Sequence, residues 1–136
     1  MEKSILITLD GFKLLNDRYG HAFGDTVLQV VAKRLRRSLR RGDYCARMGG
    51  DEFVAVLEGS GDIPTLETVA GKVAAQISKP MHIEDHTVNI VASVGALACH
   101  GPRDAQEVLK KADRLMYQAK RMAGAEHVMV KDDNEA

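Results

Sequence analysis

Residues 46–59 read ARMGGDEFVAVLEG, two glycines and two acids between two short apolar runs. Adjacent glycines permit the positive φ values of a tight β-turn, so 43–48 (DYCARM) and 52–58 (EFVAVLE) are expected as arms of a hairpin. The rest of the chain must then extend that hairpin and cover it. Residues 4–9 (SILITL) read as a buried strand, and 11–17 (GFKLLND) as a short helix closed by 18–24 (RYGHAFG). Asp25 and Thr26 offer caps for a long helix to about Arg40, with Leu28, Val31, Leu35 and Leu39 on one face. Residues 64–77 carry Leu66, Val69, Ala70, Val73 and Ile77 at helical spacing, stopped by Pro80. Residues 81–84 and 87–99 suggest a second hairpin around 85–86. A helix over 104–122 has Val108, Leu109, Ala112, Leu115, Met116 and Ala119 on one face, and 127–131 (HVMVK) is a last strand.

The order is β-α-α-β-β-α-β-β-α-β, with no internal repeat or low-complexity linker. It predicts an α+β fold, one mostly antiparallel sheet covered by helices. Residues 1–131 are expected to form one domain and 132–136 (DDNEA) a solvated tail. At 136 residues the chain can bury a core, and its formal net charge of zero gives no global field for nucleic acid or an anionic membrane. No apolar run approaches the roughly 20 residues that span a bilayer, and the opening MEKSILITLDGF lacks the form of a signal peptide. Cys45 and Cys99 have no metal-type spacing and are expected as reduced, buried thiols of a cytoplasmic protein.

Three features carry chemistry. Asp10 ends the first strand, and Gly11, Phe12 and Lys13 enter a helix whose unpaired N–H groups suit phosphate oxygens. Asp51 and Glu52 follow Gly49 and Gly50, where backbone can approach a ligand closely; acids from neighbouring strands can hold a divalent cation. Asn16 and Asp25 are short polar groups able to hydrogen-bond a base or sugar. Each feature has a plainer reading beside it: a turn before a solvated strand, a helix cap at Asp10, a turn closed by Asn16 and Asp17.

Together, LDGFKLLNDRYGHAFGD, ARMGGDEF, ASVGALA and ADRLMYQAK resemble the GGDEF domain of bacterial diguanylate cyclases from about Ile5 to Val130. The resemblance implies a sheet flanked by helices, related to the palm of nucleotide cyclases and polymerases with its ferredoxin-like core. It implies condensation of two GTP into cyclic di-GMP and two pyrophosphates between two facing subunits, a homodimer. By similarity Gly49 and Gly50 line the nucleotide, Gly11, Phe12 and Lys13 meet phosphates through backbone, and Lys120 contacts phosphates. Asn16 and Asp25 would read the guanine edge. Asp51 and the Leu9 carbonyl would ligate Mg²⁺ (or Mn²⁺), and Glu52 would act near the attacking hydroxyl or the metal. Arg40 and Asp43 match the family's RxxD site, which binds the product; the plainer alternative is a helix-end arginine and a turn aspartate. Lys33, Arg34, Arg36, Arg37 and Arg41 read as a solvated helix face. His21 matches the family's GH and is expected to be structural, whereas His82, His86, His100 and His127 carry no assigned role.

This chain departs from the family pattern in three places. Thr8 stands where the family's first strand carries a metal-bridging aspartate; its hydroxyl can ligate Mg²⁺ but brings no charge. Asp10 lies on the same side of the strand but about 6–7 Å further along. The late helix places Gly124 one residue late and lacks the following arginine. The domain is expected to lack the family's helix before the first strand, with its Leu-Thr-x-Leu-x-Asn-Arg-like turn, and its sensory or effector partner is expected to lie outside this sequence. The expectation is therefore a weakened cyclase or, alternatively, an inactive module that binds GTP or cyclic di-GMP.

Overall fold

The middle strand of the sheet is the one that opens the sequence. The computed structural model describes residues 2–58, 62–99, 104–122 and 127–133. In chain order the elements are β1 (Glu2–Asp10), α1 (Phe12–Tyr19), α2 (His21–Ser38), β2 (Tyr44–Gly49), β3 (Glu52–Glu58), α3 (Ile63–Ile77), β4 (Met81–Ile83), β5 (His86–Val88), β6 (Val91–Cys99), α4 (Ala105–Lys120) and β7 (His127–Asp132). Five strands form one sheet in the order β2-β3-β1-β6-β7. Pairing is antiparallel except between β6 and β7, whose parallel run is made possible by the crossover through α4. The fold is α+β, a mostly antiparallel sheet flanked by helices, as the element order predicts.

Side-chain alternation sorts the core into two layers. Ile7, Leu9, Phe53, Ala55, Leu57, Val94, Ala96 and Ala98 point to one face and pack with Val27, Val31 and Leu35 of α2 and Leu66, Ala70 and Val73 of α3. On the other face Val54 meets Ala112 and Met116 of α4, and Leu97 and Cys99 meet Leu115. Covered on both sides, β6 is buried from Ala92 to Cys99 and is apolar there except for Ser93.

The boundaries differ from expectation where glycine or a local side chain decides them. Asp25 and Thr26 do not cap α2. Gly20, at φ 92°, ends α1 and turns the chain, so α2 starts at His21 and both residues already lie inside it. Leu39 is not on the α2 face; the helix stops at Ser38 and Leu39 is extended. Asp62 caps α3, its carboxylate accepting from the Thr65 N–H at 2.9 Å and hydroxyl at 2.7 Å. The segment 87–99 is two strands rather than one: β5 pairs only with β4 as a separate hairpin, and β6 joins the main sheet.

Of the expected tail, Asp132 closes β7. Asp133 is buried, its N–H donating to the Ala98 carbonyl at 2.8 Å and its carboxylate accepting from Lys111 Nζ at 2.6 Å. Residues 134–136 and His100 lie outside the described residues. Cys99 is buried as expected and Cys45 half-buried; neither is in a disulfide.

Two of the five basic residues expected on a solvated face are clamps instead. Arg34 donates to the carbonyls of Ile77, Lys79 and Pro80, closing the otherwise unpaired end of α3. Arg36 donates to the carbonyls of Asp43 (2.7 Å) and Arg40, bracing the loop into β2.

Candidate functional site

The hairpin corner and the end of β1 lie side by side: the Leu9 N–H donates to the Asp51 carbonyl at 3.1 Å. Gly49 and Gly50 have φ of 136° and 53°, which favour glycine. A Cβ built on either would meet nothing within 4 Å, so backbone conformation demands glycine there and the surface above the turn stays open. Arg47 braces the corner, its Nε donating to the Gly50 carbonyl at 3.0 Å.

Strand register then lines up one row of positions across the sheet on its α4 side. Gly49 pairs with Glu52, Glu52 with Thr8, Thr8 with Ser93, and Ser93 with His127. The next row inward is apolar: Ala46, Val54, Leu6, Gly95 and Met129. This apolar row sets the polar row apart at the end of the sheet where β1 meets the hairpin.

Glu52 is half-buried, and its carboxyl is held above the usual glutamate range. Burial is the main cause, followed by repulsion from Asp113 of α4 and from Asp51. A group with a raised folded pKa contributes stability that is present below its unfolded pKa and lost as pH rises through the folded one. Ionised Glu52 therefore costs stability at neutral pH. Glu52→Gln is expected to raise the melting temperature at pH 7 by roughly 1–3 °C. That gain should vanish in melts taken below the ordinary carboxylate range.

Asp10 is not a helix cap. The N-cap of α1 is Gly11, at φ 78°, and among the described residues no side chain caps the first amides of the helix. Asp10 Oδ2 instead accepts from Ser93 Oγ at 2.7 Å and from His127 Nδ1 at 3.2 Å. Its Oδ1 is buried without a hydrogen bond among the described residues, 3.9 Å from Lys120 Nζ. The carboxylate is turned toward β6 and β7 rather than toward Thr8, which is itself buried. Phe12 is a core side chain and Lys13 is exposed.

Asp25 lines a cleft of about 460 Å³ between α2 and the hairpin, with Leu28, Arg47 and Phe53. Asn16 lies one helix away with Oδ1 buried and, among the described residues, unpaired, facing Gly24 so closely that a Cβ there would fall 1.7 Å from it. Glycine at 24 is what gives this amide its place. A second groove of about 430 Å³, lined by Glu52, Asp113, Lys110 and Met48, opens between the hairpin and α4.

Arg40 and Asp43 sit at the other end of β2, about 20 Å from the glycine corner along its six residues. Asp43 is buried and accepts from the Arg40 N–H at 2.8 Å, closing the turn, whereas the Arg40 side chain is 76% exposed, its Nε 4.0 Å from Asp43 Oδ2. The carboxylate closes the turn, and the guanidinium faces solvent.

The structure brings Thr8, Leu9, Asp51, Glu52, Asp10 and Lys120 to one end of the sheet, with Asp25 beside it, and leaves Arg40 and Asp43 apart. Sequence reasoning missed Ser93, His127 and Asp113. Ser93 and Asp113 lie inside recognised motifs. Nothing local in HVMVK marks His127; only the parallel register with β6 puts it beside Ser93.

The comparisons with known proteins agree with this arrangement. A family model described as "Diguanylate cyclase, GGDEF domain" matches residues 3–126. The bifunctional diguanylate cyclase/cyclic di-GMP phosphodiesterase MucR of Pseudomonas aeruginosa is 42% identical over 117 residues, 85% of this chain and 17% of that protein. Diguanylate cyclase DgcP of the same organism is 35% identical over 125 residues, 92% of this chain and 18% of that one. The chain thus spans less than a fifth of the length of these relatives. A solved GGDEF domain of TpbB (YfiN) from Pseudomonas aeruginosa superposes with a TM-score of 0.84 at 35% identity, covering 95% of this chain and 81% of that one. With residues 3–126 of its 136 matched by the family model, this chain belongs to the GGDEF domain family of diguanylate cyclases.

Proposed function

We propose that this domain condenses two GTP into cyclic di-GMP and two pyrophosphates, with activity weakened by Thr8. The observation that carries the reading is the contact of Leu9 with Asp51, which sets the corner acids against the end of β1. Phosphoryl transfer depends on positioning and charge neutralisation more than on covalent help from the protein. In this reading the first amides of α1, from Gly11 to Lys13, seat phosphate oxygens, and the open glycine corner lets the nucleotide lie against backbone. Asn16 and Asp25 orient guanine, Lys120 neutralises phosphate charge, and Glu52 faces the attacking 3′-hydroxyl. A homodimer presents each hydroxyl to the opposing α-phosphate. GTP as substrate puts the domain in the cytoplasm; among the described residues no helix is long and apolar enough to cross a membrane. A sensory or effector partner domain would supply the input.

A divalent cation fits the donor set. Asp51, Glu52, the Thr8 hydroxyl and the Leu9 carbonyl offer only hard oxygen ligands, the preference of Mg²⁺ or Mn²⁺. Burial raises the Glu52 carboxyl most, and the repulsion from Asp113 and Asp51 that adds to it is what a cation there would relieve. Among the described residues no three acidic, histidine or cysteine side chains converge into a ready cage, so backbone and phosphate oxygens must complete the set. When bound, the ion supplies charge neutralisation at the transferring phosphate.

One observation favours a second reading, a binding module without turnover: Thr8 carries no charge, and Asp10 is committed to Ser93 and His127. Incubation at high protein concentration with GTP and Mg²⁺, followed by nucleotide chromatography, is expected to yield cyclic di-GMP and pyrophosphate. Unconsumed GTP with calorimetric binding of GTP or cyclic di-GMP would favour the module, and no binding of either would end both readings.

A further inference from the structure

Asp10, Ser93, His127 and Lys120 form a cluster that the proposed reaction does not by itself explain. Three adjacent strands contribute the first three: β1, β6 and β7. Ser93 Oγ and His127 Nδ1 lie 3.3 Å from each other, and both reach the same oxygen of Asp10, at 2.7 and 3.2 Å. Although serine, histidine and aspartate meet here, this is no nucleophilic triad. Ser93 is completely buried and donates to the carboxylate. The arrangement instead fixes a carboxylate: with Oδ2 held twice, Oδ1 is pinned in a buried position, without a hydrogen bond of its own among the described residues.

The cation near that oxygen is Lys120 Nζ, at 3.9 Å. This is beyond hydrogen-bond length, so the attraction is Coulombic and loose. Lys120 ends α4, where the helix dipole also favours a cation, and its side chain is about half exposed. An ammonium held this way is localised at the mouth of the site, yet its flexible stem can carry it to an arriving phosphate.

We infer that Ser93 and His127 are positioning residues: by fixing Asp10 they hold Lys120 where it meets the triphosphate of GTP. The inference rests on the proposed function, since it gives Lys120 its ligand. It also assigns a task to an aspartate that cannot stand in for the missing acid at position 8 while so engaged.

The test separates phosphate affinity from base affinity by titrating GTP and guanosine calorimetrically. Ser93→Ala and His127→Leu are each expected to weaken GTP about fivefold and leave guanosine unchanged, while His127→Asn, which keeps a donor at the Nδ1 position, retains wild-type affinity. A general loss of structure would weaken both ligands alike. In a Lys120→Met background neither Ser93→Ala nor His127→Leu should have a further effect, because the group they position is gone. An equal loss in that background, or an unchanged ratio of GTP to guanosine affinity in a protein that binds GTP, overturns the inference alone. Absence of GTP binding by the unmodified protein overturns the proposed function instead.

Discussion

Thr8→Asp is expected to raise the rate of cyclic di-GMP formation on the order of 100-fold, because even an outer partner of a metal site is worth about 10–100-fold and a directly bound charge more. The register explains why position 8 matters: Thr8 is the cross-strand partner of Glu52, and Leu9 beside it contacts Asp51. A carboxylate introduced there joins the corner acids at the point where the cation is expected. Two unit charges 4 Å apart interact by about 4 kcal/mol at an effective dielectric of 20, enough to dominate the affinity of such a site.

The same substitution carries a cost that makes it testable twice. Position 8 is buried, and Glu52 already carries the burden of burial, Asp113 and Asp51. A further acid without a cation must destabilise the fold, so Thr8→Asp is expected to melt below wild type in chelator and to recover with Mg²⁺. Thr8→Asn, similar in size and uncharged, should show neither effect. A Thr8→Asp protein whose melting temperature responds to Mg²⁺ but whose turnover equals wild type would show that charge at this position does not limit the reaction.

Much of this could be read before the structure because it depends on local chemistry. The hairpin follows from Gly49 and Gly50, whose positive φ values are a property of those residues alone. Helical periodicity located α3 and α4 to within two residues, and proximity of the corner to β1 follows from pairing neighbouring strands. What escaped depends on partners far apart in sequence. Asp25 looked like a cap, but Gly20 had already begun α2. Arg34 looked solvated, but it reaches carbonyls more than 40 residues away. His127 is ordinary in HVMVK and meets Asp10 only because β7 runs parallel to β6 in one register. Asp10 itself looked like a cap, and only the neighbouring strands show where its carboxylate goes.

The largest stability effect is expected at Gly95, the smallest member of the apolar row beneath α4. A Cβ at that position would lie 2.4 Å from both the Ala112 carbonyl oxygen and the Met116 nitrogen, and 2.9 Å from the Leu115 carbonyl carbon. All three are main-chain atoms of a helix, so no rotamer change relieves the clash and α4 must lift from the sheet. Gly95→Ala is expected to cost about 3 kcal/mol, at the upper end for overpacking, out of a total stability of about 5–15 kcal/mol for a domain. The bulkier Gly95→Val should leave α4 unseated. Gly71 is the control: it sits inside α3 with open space around it, and Gly71→Ala should stabilise by about 0.5–1 kcal/mol through helix propensity. Urea melts of the two alanine variants therefore move in opposite directions, and a Gly95→Ala midpoint equal to wild type would refute the close approach of α4 to β6. Function should follow the helix, since α4 carries Lys120 and Asp113: as α4 lifts, Lys120 leaves Asp10, and Glu52 loses the acid that helps hold its carboxyl high.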